Sequence, residues 1–358
     1  MFPAIIGIGN ALPLHSMTQD ECFTYARPFS CETQKQSRFV ENLFKKTGID
    51  KRALVIINGS SDSTTRDFYD CGDTVNGEGP STAVRMERYS KEIVQLAQTA
   101  TLAALDEADV APNSITHLVT ASCTGFSAPG FDLHLVEKLG LKRSVIRTHI
   151  GFMGCHGALN ALRVAQGYCL SNPNAIVLVC AAEICSLHFQ FGWHSSSLVA
   201  NSLFADGAAS LVLKAGATGP RYAETGSYIV PESAEAMTWQ IGDNGFVMQL
   251  ANNVPEIIEA HLPAFISSFL AEQNLSIDEI NGWAVHPGGP RILDSVQSCL
   301  SLNPGDLSMS RKILSECGNM SSPTLLFILQ KLIALQDKLP CILLGFGPGL
   351  TIEAALIR

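Results

Sequence analysis

Short apolar runs rich in β-branched residues, each bounded by Gly, Pro or Asn, alternate along the chain with longer stretches whose apolar residues recur at three- and four-residue steps. The first pattern is that of a buried strand and the second that of a helix with one face on a core, so the alternation predicts α/β layering. Strands are predicted at 5–8, 118–121, 176–180, 209–213, 283–285 and 342–344. A core-facing helix is predicted over 89–107, where Ile93, Val94, Ala97, Ala100, Ala104 and Leu105 share a side. A second follows Val254 and Pro255, carrying Ile257, Ile258, Leu262, Phe265, Ile266, Phe269 and Leu270, with Pro263 as the point where it would kink.

The same pattern carries a degenerate repeat. In each half a strand leads to a loop bearing Cys or His, at 118–123 and 283–286. Each half also ends in a glycine-rich turn followed by a strand, first at Asp206-Gly207-Ala208-Ala209 and then at Gly347-Pro348-Gly349-Leu350. Two halves are therefore expected, 1–217 and 218–358.

Composition narrows the class. With 358 residues, 46% hydrophobic and 16% charged, the chain can bury a large core. A net charge of −9 argues against a sequence-independent grip on nucleic acid or an anionic membrane surface. The most apolar runs, 175–182 and 341–346, fall far short of the roughly 20 residues that span a bilayer. The opening residues have no basic segment ahead of an apolar one, so no secretion signal is read and a cytoplasmic location is expected. Eleven cysteines without C-x-x-C spacing fit reduced thiols, of which one or two are expected to be chemically special.

Three short segments carry candidate chemistry. In Gly151-Phe152-Met153-Gly154-Cys155-His156-Gly157, the cysteine falls where an extended segment turns into a helical pattern. Free N–H groups at a helix start favour a thiolate, and the glycines at 151, 154 and 157 would let a substrate approach the backbone. A thiol of ordinary pKa near 8.5 is only a few per cent ionised at neutral pH, so a cationic partner, usually His, is needed. His286 ends a predicted strand in His286-Pro287-Gly288-Gly289-Pro290. Asn319, in Gly318-Asn319-Met320-Ser321-Ser322, precedes a helix and taken alone reads as a cap.

Together these segments resemble the type III polyketide synthases, the chalcone and stilbene synthase family. Phe204 in Leu203-Phe204-Ala205-Asp206-Gly207 and the run from Gly345 to Glu353 extend the likeness over essentially the whole chain. The resemblance implies a thiolase-like α/β fold, two duplicated halves in a five-layered αβαβα arrangement, and a homodimer. It implies that Cys155 attacks an acyl-CoA starter, while His286 and Asn319 donate hydrogen bonds to the malonyl-CoA thioester oxygen as carbon dioxide leaves. No cofactor, nucleic acid or membrane span is implied. Phe204 matches the family's gate between CoA tunnel and cavity, and Lys46 falls where a lysine pairs with CoA phosphates, although Phe39 and Asn42 stand at the other basic positions. The run from Gly345 to Gly349 becomes cavity scaffold, a turn whose glycines carry positive φ.

The wording departs from plant chalcone synthases at the pocket. Met248 replaces a second gating phenylalanine, Cys185 and His188 replace cavity threonines around Leu187, and Cys123 replaces another beside Thr124. Gly288, Ser321 and Pro348 complete the expected pocket. These changes predict an aliphatic starter, since methionine adapts to alkyl chains. A β-ketoacyl carrier-protein synthase that initiates fatty acids shares the Cys, His, Asn logic but expects H-Q-A-N in place of H-P-G-G-P. A non-catalytic acyl-CoA-binding protein of the same fold would not need the triad. A cysteine protease lacks its usual surroundings here.

Overall fold

The computed structural model describes residues 2–56, 68–69 and 77–358. All six expected strands form, most of them longer than the apolar run that announced them. Five strands make a first sheet in the order Ala4–Ala11, Asp206–Lys214, Ile176–Ile184, His117–Ser122, Ile146–Gly151. The last three are mutually parallel, and Asp206–Lys214 runs antiparallel to both of its neighbours. Four strands make a second sheet in the order Gly282–Val285, Cys341–Gly347, Thr351–Ile357, Tyr222–Ile229, with one parallel pair and two antiparallel ones.

Strand alternation sorts the side chains into layers. Val177, Val179 and Ala181 point to one core, and Leu178, Cys180 and Ala182 to another. In the second sheet, Cys341 and Leu343 join that first core while Ile342, Leu344 and Phe346 face a third. The shared core is filled by helices Gly157–Ser171 and Pro323–Ala334, which therefore lie between the sheets. Pro323–Ala334 is apolar almost all round, as a helix covered on every side must be. Helix Thr82–Glu107 covers the outside of the first sheet, and Val254–Ala271 with Pro290–Cys299 the outside of the second. The result is the expected five-layered, thiolase-like αβαβα arrangement.

Two departures have clear causes. The expected helix at 89–107 begins earlier, at Thr82, because the Ser81 side chain caps it by accepting from Val84 N–H. Helix Val254–Ala271 continues through Pro263. The carbonyl that this proline leaves unpaired belongs to exposed Glu259, where water can satisfy it. A separate two-stranded ribbon, Met237–Gly242 with Gly245–Leu250, was not foreseen, and it pairs Trp239 with Met248. The ten described cysteines are free thiols.

Candidate active site

Cys155 lies in a one-turn 3₁₀ segment, Gly154–His156, that feeds helix Gly157–Ser171. Gly154 has φ +77°, and a Cβ there would overlap the Pro348 ring. Its glycine thus serves the close approach of the second half's Gly347-Pro348-Gly349 turn. Gly151 and Gly157 have ordinary room for a Cβ, so the expectation that all three glycines open the backbone to substrate is corrected. In the partner turn only Gly349 has positive φ, while Gly347 makes room for the His156 ring.

The seam between the halves holds Asn319 in the loop whose Ser321 meets the cysteine. Asn319 N–H donates to Leu203 O at 3.0 Å, and Ala205 N–H donates to Asn319 O at 2.8 Å, so Asn319 pairs alongside Phe204. Its side-chain Oδ1 accepts from Ser321 N–H at 2.8 Å, which leaves the Nδ2 end as the donor. Asn319 is therefore an anchored amide and not the helix cap, the first helix-flanking position being Ser322, whose side chain makes no capping bond. The Ser321 hydroxyl, on a residue with φ +59°, donates to Cys155 Sγ at 3.7 Å.

His286 sits at the end of strand Gly282–Val285, its N–H donating to Leu344 O at 2.8 Å. The neighbouring strand Cys341–Gly347, which supplies that carbonyl, also packs Gly345 and Gly347 against His156, the residue after Cys155. The imidazole is 1% exposed, and neither ring nitrogen has a hydrogen-bond partner among the described residues. Such a group is rare in a folded protein.

Burial governs the titration of both groups. It pushes the Cys155 thiol up from 9.0 to about 12 and, with the neighbouring His156, pushes His286 down to about 3. The thiol's rise corresponds to about 4 kcal/mol against the thiolate, and a helix N-terminus returns only roughly 1 kcal/mol. The expectation that the helix start lowers the thiol pKa is thus outweighed by desolvation. Each charge is unfavourable on its own in this buried setting.

Glu183 is a buried acid that sequence reasoning missed. Its carboxylate accepts from Cys123 N–H at 2.9 Å, Thr124 Oγ1 at 2.7 Å, Ser122 Oγ at 3.2 Å and, across the seam, Ser322 Oγ at 3.1 Å. Burial nevertheless raises its pKa to about 7, those donors opposing the rise.

A small cavity surrounds Cys155, lined by Cys155, Cys123, Thr124, Cys185, Phe204, Met248, Ser321 and Pro348 together with Gly154, Met237, Thr238 and Trp239. A larger, mostly apolar chamber adjoins it, and Cys185, Phe204, Trp239 and Met248 line both. His188 lines only the larger one. Leu187 points into the core behind the wall, Gly288 packs by Ile292, and Lys46 is an exposed residue closing helix Gln34–Lys45; none of the three lines either chamber. Neither His286 nor Asn319 is part of the lining; Asn319 reaches the chamber through Ser321. Trp239 went unforeseen because the ribbon that carries it has no apolar run of its own.

A buried cysteine beside a helix start, with an anchored amide and an unpaired imidazole in the opposite half of a five-layered fold, defines a thiolase-fold condensing enzyme. Family models for the N-terminal and C-terminal domains of chalcone and stilbene synthases match residues 3–217 and 223–358. Type III polyketide synthase 21 of Oryza sativa is 32% identical over 99% of this chain and 93% of its own length. The alpha-pyrone synthesis polyketide synthase-like Pks18 of Mycobacterium tuberculosis is 32% identical over 76% of this chain and 72% of its own. The crystal structure of PKS-I from the brown alga Ectocarpus siliculosus superposes with a TM-score of 0.94 at 28% identity, covering 100% of this chain and 98% of the other. The chain belongs to the type III polyketide synthases, acyltransferases that condense CoA-bound starters with malonyl-CoA.

Proposed function

We propose that Cys155 carries the growing chain, and that the starter is an aliphatic acyl-CoA leading to an alkylpyrone or alkylresorcinol type of product. Cys155 passes its proton to His286 as sulfur attacks the starter thioester, and His286 returns that proton to the departing CoA thiolate. Malonyl-CoA then loses carbon dioxide. The enolate oxygen so formed takes hydrogen bonds from the His286 ring N–H and Asn319 Nδ2, each such donor being typically worth about 3 to 4 kcal/mol. The enolate carbon attacks the acyl–Cys155 carbonyl and releases the sulfur, leaving a β-ketoacyl-CoA that reloads or cyclises.

The observation that carries the aliphatic reading is the apolar chamber sharing a wall with the one around Cys155. Such a chamber suits an alkyl tail better than a phenolic ring with polar substituents. The name of the mycobacterial relative, which refers to alpha-pyrone synthesis, agrees with it. The same reading makes acyl-CoA and malonyl-CoA the only co-substrates, without a cofactor, and the enzyme a cytoplasmic homodimer of chains divided at 217/218. No helix among the described residues is long and apolar enough to cross a membrane.

The test is to incubate purified protein and malonyl-CoA with acyl-CoA esters from acetyl to stearoyl, alongside benzoyl and coumaroyl esters, and to read products by mass spectrometry. Straight-chain esters are expected to give pyrones or resorcinols. Exclusive use of the aromatic esters would refute the proposal.

A further inference from the structure

The residue after the nucleophile is tied into the opposite half of the molecule. His156 is 2% exposed, and its ring lies over strand Cys341–Gly347, where a Cβ on Gly347 would overlap it and one on Gly345 would crowd its own Cβ. Neither glycine has positive φ, so both serve for space and not for conformation. Gly345 pairs with Glu353 on the next strand, and the side chains of directly paired strand residues share a face. Glu353 therefore stands on the face of the sheet that carries the His156 ring.

Asn160, one helical turn on from His156, links the two. Its Nδ2 donates to Glu353 Oε1 at 3.3 Å, so its Oδ1 faces His156 and accepts from the ring Nδ1–H at 2.7 Å. Glu353, itself buried, also accepts from Ser227 Oγ at 2.8 Å and is paired with Arg163. The chain His156–Asn160–Glu353 thus crosses from the half bearing Cys155 to the half bearing His286. The strand under the ring is also the one from which His286 hangs, through Leu344 O, one residue before Gly345. An apolar ring of similar size would fill the slot without any of these bonds, so packing alone does not call for a histidine there.

We propose that His156 is a positioning residue for the condensation: through Asn160 it fastens the Cys155 turn to Glu353, and so fixes the nucleophile against the imidazole of His286 on the facing half. This rests on the function proposed above and adds what holds its two reacting groups in register. His156 lines neither chamber, so it acts through these neighbours and not by touching substrate. Its charge matters as well as its bonds. The charged groups facing it are Glu353, from the second sheet, and Arg163, on its own helix, and a proton on His156 opposes one on His286. The ring thereby keeps His286 unprotonated, and able to take the Cys155 proton, down to lower pH than it would be alone.

The experiment compares wild type with His156→Phe, His156→Gln and Asn160→Leu, following transfer of a straight-chain acyl group from CoA to Cys155 in a single turnover by intact-protein mass spectrometry. His156→Phe fills the slot without the donor. Its maximal loading rate is expected to fall about tenfold, while the acyl-CoA concentration giving half that rate changes by less than about twofold. The acid limb of its rate against pH is expected to move to higher pH, since no second imidazole then opposes a proton on His286. His156→Gln keeps a donor and should recover part of the rate. Asn160→Leu cuts the link but keeps the ring; it should lose rate as His156→Phe does, and it covers the case in which His156→Phe does not fold. Folded His156→Phe that loads at the wild-type rate, weakens only acyl-CoA binding, or loses rate with an unmoved acid limb overturns the proposal, as does folded Asn160→Leu that loads at the wild-type rate. Should wild type load no straight-chain ester, the function proposed above fails instead, and the link is judged by iodoacetamide alkylation of Cys155, for which the same roughly tenfold loss is expected.

Discussion

His286 has two buried, unpaired ring nitrogens, and Cys155 has a thiol that burial holds protonated. On the function proposed above, removing the imidazole leaves that thiol without a proton acceptor, its pKa still displaced upward. The His286→Gln variant is therefore expected to lose at least about tenfold in the rate of Cys155 alkylation by iodoacetamide at neutral pH. Peptide mass mapping of the modified cysteine checks this, and an unchanged rate would detach His286 from the nucleophile. Both residues were legible in the sequence because each sits where a regular element stops, amid distinctive Gly and Pro wording. Trp239 was not legible, because its hydrogen-bond partner lies 116 positions earlier in the chain. Glu183 was hidden inside an apolar strand, where a lone carboxylate has meaning only once its four donors are known.

Interior strands announce themselves through continuous apolar runs, and those at 117–122, 176–184 and 341–347 were found. Ile146–Gly151 and Tyr222–Ile229 were missed since they lie at sheet edges and carry mixed exposure along their length. At the end of strand Ile176–Ile184, Glu183 ties the loop at 122–124 to the start of helix Pro323–Ala334. Its raised pKa means the native state holds this proton more tightly than the unfolded chain. The associated stability is complete below the ordinary value of 4.5 and is lost as pH rises through about 7. That loss amounts to about 3 kcal/mol. Glu183→Gln, neutral at every pH, escapes it. The difference in Tm between variant and wild type is expected to move in the variant's favour from pH 5 to pH 8. A pH-independent difference would show that the carboxyl does not titrate in this window. Asp206, raised to about 6, and the buried histidines titrate in both proteins and cancel in the comparison.

At the scale of the whole molecule, the edge of the first sheet carries exposed apolar side chains. Strand Ile146–Gly151 forms an edge of the first sheet, and Ile146 on it is 52% exposed. Just beyond it, Phe152 meets Phe126, itself 52% exposed, at 5.9 Å. An open edge flanked by apolar side chains is what a protein normally pairs or blunts, and this fits the homodimer proposed above. Sedimentation equilibrium is expected to give twice the chain mass, and Ile146→Glu to shift the protein toward monomer. A monomeric wild type would refute the assembly.

The ribbon Met237–Leu250 belongs to neither large sheet, yet it supplies Trp239, Phe246 and Met248 to the chamber walls. Sulfur, imidazole and carboxamide all sit elsewhere, on segments that the two layered halves hold. On the function proposed above, evolution, or an engineer, can thus reshape what is made by rewriting one short hairpin, leaving the bond-forming apparatus untouched.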